Sequence, residues 1–113
     1  MTKLSQMKCV ACRGDEPKLT EAQIDELKPQ VPDWEVKVLK DMKRLERVFK
    51  LKNFAEALAF TDKIGAAAEK ADHHPLIITE YGRVTVQWWT HKIGGLHQND
   101  FIMAAKTDEL AKA

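Results

Sequence analysis

The stretch from His74 to Thr90 constrains the fold more than any other part of the sequence. Pro75 has no backbone donor, so it cannot continue a preceding helix, and it pushes His74 towards extended backbone. Beyond it, Leu76-Ile77-Ile78-Thr79 and Arg83-Val84-Thr85-Val86-Gln87-Trp88-Trp89-Thr90 are strands by composition, joined by a tight turn at Tyr81-Gly82. If the turn centres there, Glu80 faces Arg83, and facing residue numbers sum to about 163 in an antiparallel pair. His91 then falls opposite Asp72, or opposite His74 if the register moves by one residue on each strand. His73, His74 and His91 should therefore meet at the open end of this hairpin, next to the end of the helix that precedes it.

That helix is the longest in the chain. Asn53 caps it, Glu56 follows three residues later, and Phe54, Ala57, Leu58, Ile64, Ala67, Ala68 and Ala71 recur at helical spacing. Phe60 lies off the stripe, and Gly65 among alanines suggests close approach to a sheet. Upstream, Trp34, Val36 and Val38 alternate with Glu35 and Lys37 as in a half-buried strand. Lys40 to Lys43 reads as a turn, and Leu45, Arg47, Phe49 and Leu51 alternate in the partner strand of a first hairpin. Thr20 caps a short helix with Leu19, Ile24 and Leu27 on its apolar side, ended by Pro29 and Pro32. Asn99 or Asp100 caps a last helix whose apolar side is Phe101, Ile102, Ala105 and Leu110.

The order is α-β-β-α-β-β-α, an α+β fold: a four-stranded antiparallel sheet with three helices on one face. Residues 1–18 have no usable period and read as a mobile arm that packs late or not at all. Residues 19–113 read as one domain.

Composition bounds the function. At 113 residues and 44% hydrophobic, the chain suits a single core. Eighteen basic against seventeen acidic residues leave a net charge of +1, which argues against coating nucleic acid or an anionic membrane. A mean hydropathy of −0.41 and no long apolar run exclude a membrane-spanning helix. No secretory signal opens the chain, and two cysteines make no disulfide framework, so a cytoplasmic setting is expected. The first hairpin, with Lys37, Lys40, Lys43, Arg44, Arg47, Lys50 and Lys52, is locally basic and reads as a solvated edge.

Three converging histidines mark the candidate chemistry, because imidazole gives and takes protons near neutrality. Glu69, four residues before His73, and the adjacent Asp72 could orient a ring, and Asp100 could fold back over the same end. Trp89 shares its strand face with His91 and Gln87. A metal site is disfavoured, since His73 and His74 on extended backbone point to opposite faces. Cys9 and Cys12 lack a second ligand pair for zinc and a βαβ context for redox work, and read as inert.

At these residues the sequence resembles the pterin-4a-carbinolamine dehydratase family. The motif is Glu69, His73-His74-Pro75, Tyr81, His91 and Asp100, and the likeness runs from about Thr20 to Ala113. The arm with Cys9 and Cys12 looks like the leader of bacterial-type members. The resemblance implies dehydration of 4a-hydroxytetrahydropterin to quinonoid dihydropterin, recycling the pterin of aromatic amino-acid hydroxylases. It implies His73, His74 and His91 as the catalytic trio and Glu69, Thr90 and Asp100 as supporting contacts, with Trp89 on the cleft wall. No metal or organic cofactor is implied. Family members assemble as homodimers or homotetramers, and association with a hydroxylase is conceivable. The rival reading is a non-catalytic binding or dimerisation cofactor that regulates a partner through helix surfaces.

Overall fold

The structure, a computed structural model, describes residues 3–10 and 16–112. Thr20 caps helix α1 (Glu21–Leu27): its hydroxyl accepts from the Gln23 N–H while the Gln23 side chain accepts from the Thr20 N–H. This reciprocal pair satisfies two of the donors that a helix start leaves open. Ile24 enters the core, and a 3-10 turn at Lys28–Gln30 carries Pro29.

Strands β1 (Glu35–Leu39) and β2 (Met42–Lys50) form the first hairpin, with Leu39 facing Met42. The turn is only two residues long. Lys40 and Asp41 both adopt left-handed backbone, φ 51° and 62°, which matches the twist of a two-residue hairpin. Trp34 is fully buried just ahead of β1, but Val38, expected to share its face, is 61% exposed. The reason is position: β1 is an edge strand, and no helix makes an extensive contact with it.

Asn53 caps helix α2 (Phe54–Ala71), accepting from the Glu56 N–H at 2.9 Å. The buried stripe is Ala57, Phe60, Ile64 and Ala68. It is rotated from the expected one: Phe60 is inside, whereas Phe54 and Leu58 are exposed. A Cβ built on Gly65 meets nothing within 4 Å, so the close approach expected there does not occur.

Strands β3 (Leu76–Glu80) and β4 (Arg83–Trp88) pair with Glu80 facing Arg83 and Leu76 facing Gln87, the expected register. Strand β4 also pairs with β2, so the antiparallel sheet has the order β1-β2-β4-β3. One face, with Leu45, Phe49, Val84, Val86 and Trp88, forms the core with α2 and helix α3 (Gln98–Lys112). Helix α3 begins one residue before the expected cap, and Phe101, Ile102 and Ala105 are buried as expected. Trp34 Nε1 donates to Asp108 at 2.8 Å and Trp88 Nε1 to Thr107 at 3.2 Å, which satisfies both indoles inside the core.

Residues 3–10 of the arm lie on the domain. A 3-10 turn at Leu4–Gln6 rests against α3 with Leu4 buried. The Leu4 N–H donates to Gln30 Oε1 and Lys106 Nζ donates to the Ser5 carbonyl, each at 3.0 Å. Leu4, Met7 and Cys9 pack on the core from among polar neighbours, too few positions to show a period in the sequence. Of the rest of the arm reading, residues 1–2 and 11–15, with Cys12, lie outside the described residues, while Glu16 Oε2 lies 2.5 Å from His97 Nε2. In the basic hairpin, Arg47 reaches Asp108 at 2.6 Å, Lys37 reaches Glu35 at 2.9 Å, and Lys43 pairs with Glu21.

Candidate active site

Helix α2 ends on a left-handed residue, Asp72 at φ 53° and ψ 41°, and the Ala68 carbonyl accepts from the backbone N–H of both Asp72 and His73. That turn reverses the chain direction at the helix end, and Pro75 then commits it to β3. His73 is thereby fixed where β4 finishes. Its ring stacks on Trp88, with centroids 5.6 Å apart and planes 18° from parallel.

Asp100 closes this arrangement from the first turn of α3 and is itself fully buried. Its Oδ1 lies 2.6 Å from His73 Nε2, while Oδ2 accepts from the Thr90 hydroxyl at 2.8 Å and the His97 N–H at 2.9 Å. Three donors on one carboxylate suit an acceptor-only group. The proton on His73 is therefore placed at Nε2, which leaves Nδ1 to give or take a proton elsewhere.

Glu69 precedes His73 by four residues, the spacing at which a continuing helix brings side chains together. Glu69 instead meets His74, with Oε2 2.7 Å from Nε2, and both residues are exposed. At the end of a helix followed by a left-handed residue, four-residue spacing no longer keeps side chains on one face. His91 does not extend β4 either. The strand stops at Trp88, Thr90 bridges to Gly95, and His91 opens a 3-10 turn, His91–Ile93, closed by Gly94 at φ 70°. The His91 ring lies 4.8 Å from that of Trp89.

The three histidines nevertheless share one cavity. It measures about 420 Å³ and is lined by His73, His74, Trp89, Thr90 and His91, together with Cys9, Val10 and Asn99. That volume is in the range of small-molecule sites. A larger cavity of about 670 Å³ lies between β2 and α2, bounded by Arg47, Phe49, Phe60 and Lys63, and holds no imidazole. The three imidazoles thus gather on the smaller one. Asp100 and Glu69 stand behind its wall, each holding a ring. Tyr81, 76% exposed at the closed end of the hairpin, is not among the lining residues.

Other contributors were not read from the sequence. Arg44 is buried, with its guanidinium 3.8 Å from the Trp89 ring centre and its Nη1 donating to Gln87 at 3.0 Å. It presses Trp89 from the face away from the helices. Cys9 and Val10 reach the cavity from the arm, and no period or motif signalled that. Burial, and secondly the charge of Asp100, push the Cys9 thiol above its ordinary pKa, with Lys106 pulling the other way. Among the described residues no three His, Cys, Asp or Glu side chains converge as a metal-binding group.

Known proteins resemble the chain over most of its length. A family model described as pterin 4 alpha carbinolamine dehydratase matches residues 17–110. A protein of Nitrosococcus oceani, provisionally named a pterin-4-alpha-carbinolamine dehydratase, is 63% identical over 112 residues, 99% of each chain. A solved structure from Brucella melitensis, described as a transcriptional coactivator/pterin dehydratase, superposes with a TM-score of 0.74 at 33% identity. That match covers 83% of this chain and 98% of the Brucella chain. A pterin dehydratase-like protein, described as a RuBisCO assembly factor in the alpha-carboxysome, reaches a TM-score of 0.61 at 22% identity. It covers 72% of this chain and 92% of its own, and shares the fold alone.

Proposed function

The chain belongs to the pterin-4a-carbinolamine dehydratase family, a hydro-lyase, and we propose that its histidine cavity expels water from a 4a-hydroxytetrahydropterin. The observation that supports this is the convergence of His73, His74 and His91 on one cavity, with His73 held by a fully buried carboxylate. Loss of the 4a-hydroxyl breaks a C–O bond. The leaving oxygen takes a proton from a protonated imidazole, while a ring nitrogen gives its proton to a neutral one and its electrons form the new C=N bond. The products are quinonoid dihydropterin and water, and the two imidazoles exchange protonation states. Solvent resets them.

In this reading His73, His74 and His91 carry the proton transfers. Asp100 orients His73, Glu69 orients His74, and Thr90 fixes Asp100. Trp89, with its ring against His91 and no acceptor for its indole N–H among the described residues, offers the pterin a flat surface. Neither proton transfer calls for a metal or an organic cofactor. The expected setting is the cytoplasm, beside an aromatic amino-acid hydroxylase whose spent cofactor is the substrate. No described helix is long and apolar enough to cross a membrane. Assembly as a homodimer or homotetramer belongs to the same proposal, and light scattering behind size exclusion tests it.

Turnover of freshly made 4a-hydroxytetrahydropterin decides the reading. The wild-type chain should exceed the uncatalysed rate by about 10²-fold or more, and a His73→Ala/His91→Ala variant should lose that excess. Equal rates for both would overturn it. A second reading, a binding or dimerisation cofactor acting through helix surfaces, is favoured by exposed Phe54 and Leu58 on α2 and by the coactivator description of the Brucella protein. Partner binding that survives loss of the histidines, with no turnover in the wild type, would select it.

A further inference from the structure

We propose that Asn99 is a positioning residue that ties the N-terminal segment across the histidine cavity, making Cys9 and Val10 part of the substrate-binding wall. The inference rests on the dehydratase reading for the identity of the occupant, and on the following geometry for the wall itself.

One side chain makes both bonds of the clamp. The Asn99 amide accepts from the Val10 N–H at 3.0 Å and donates to the Val10 carbonyl at 2.7 Å. Both backbone groups of Val10 are thereby satisfied, as they would be by a neighbouring strand. A carboxamide carries an acceptor oxygen and a donor nitrogen side by side on one planar, uncharged group. Asn99 is itself buried, and its own N–H donates to His97 Nδ1 at 3.0 Å. It immediately precedes Asp100, so the clamp and the carboxylate that holds His73 spring from the same turn of α3.

The segment is fastened upstream as well, through Leu4 in the core and the Lys106 bond to the Ser5 carbonyl. Held at both ends, Cys9 and Val10 line the cavity that the three imidazoles share. These residues lie outside the family match, which begins at residue 17. The full-length Nitrosococcus relative spans them. The wall is thus an addition to the family domain, and it bears on how substrate is held rather than on proton transfer. Burial keeps the Cys9 thiol neutral, so it meets the occupant as a small apolar surface.

The test compares Asn99→Ala with wild type in the full chain, both carrying Cys12→Ser so that one thiol is read. Loss of two hydrogen bonds should raise the rate of Cys9 alkylation by about tenfold without ligand. KM for 4a-hydroxytetrahydropterin should rise by about tenfold with kcat within about twofold. In the clamped chain, saturating 7,8-dihydrobiopterin should slow Cys9 alkylation. Val10→Pro, which removes the donated N–H and leaves the core untouched, should reproduce the effect if Asn99→Ala fails to fold. Unchanged thiol reactivity in both variants, absence of ligand protection, or a fall in kcat at constant KM would overturn the proposal. If the wild type turns nothing over, the dehydratase reading fails, while the ligand-free alkylation rates still decide whether the clamp exists.

Discussion

His73 and Asp100 are joined by a 2.6 Å contact between Nε2 and Oδ1, and the carboxylate behind that contact has no exposure to solvent. Twenty-seven residues of chain separate them, from the end of α2 to the start of α3. Because Asp100 also accepts from Thr90 and His97, its position does not depend on His73. The imidazole is oriented by a preformed acceptor and backed by the Trp88 ring. A ring held on two sides keeps a fixed orientation, which general acid–base catalysis needs of an imidazole.

Asp100→Asn tests that orientation. An amide keeps the shape but turns an NH₂ group towards one of three donors, so a buried polar group loses its partner. Stability should fall by about 1–3 kcal/mol in urea unfolding. The value of kcat should fall by roughly 10–100-fold, in line with the loss of an orienting partner behind a functional imidazole. A variant that folds and turns over normally would show that His73 needs no orientation from Asp100.

The register of the second hairpin was legible because a proline, a glycine turn and two β-branched runs leave few alternatives, and it brought the histidine neighbourhood with it. Details past the strand ends were not legible. His91 does not continue β4: Thr90 leaves the strand to bridge Gly95, and His91 lines the cavity from the 3-10 turn that Gly94 closes. Glu69, four residues before His73, meets His74 because helical spacing fails beyond Asp72. On α2 the stripe was drawn through Phe54 and Leu58, large side chains that lie on the outer side, while the inner face uses Ala57 and Ala68. Size in a sequence does not report the direction of a side chain. The wall at Cys9 and Val10 depends on one asparagine clamp, which no periodicity encodes.

Gly65→Ala should stabilise the chain. The glycine lies within α2 in right-handed helical backbone, and an added Cβ meets no atom within 4 Å. Alanine therefore gains helix propensity and restricts the unfolded chain without a steric cost, about 0.5–1 kcal/mol. Urea unfolding should show a higher midpoint at unchanged slope. A lower midpoint would mean that a partner surface packs against Gly65 in solution.

Leu4→Ala asks whether the N-terminal segment belongs to the core. Leu4 is 1% exposed and sits among the residues that pack with α3. Truncation removes buried methyl groups and leaves a cavity, so the cost should be about 2–3 kcal/mol at this margin of the core. A cost under about 0.5 kcal/mol, the level of an exposed position, would show that the segment is detached in solution.

The ionisation of Cys9 supplies a pH test that involves no histidine. Burial first, and the charge of Asp100 second, hold the thiol above its ordinary range, and Lys106 opposes them. The folded chain thus favours the neutral thiol over the thiolate more than the unfolded chain does. The corresponding stability is fully present below the pKa of the unfolded thiol and is lost as pH rises through the folded pKa. Since the thiolate is the nucleophile, alkylation by iodoacetamide in a Cys12→Ser chain should keep accelerating at pH values where the urea-unfolded chain has reached its plateau. Lys106→Met removes an opposing charge and should move the folded midpoint higher still. That direction is informative because Lys106→Met also frees the Ser5 carbonyl. If loosening the segment dominated, Cys9 would meet water and its midpoint would fall towards that of the unfolded chain. A rise means that Cys9 stays half-buried near Asp100 without the lysine, so the Asn99 clamp and the Leu4 anchor together are enough to hold the wall.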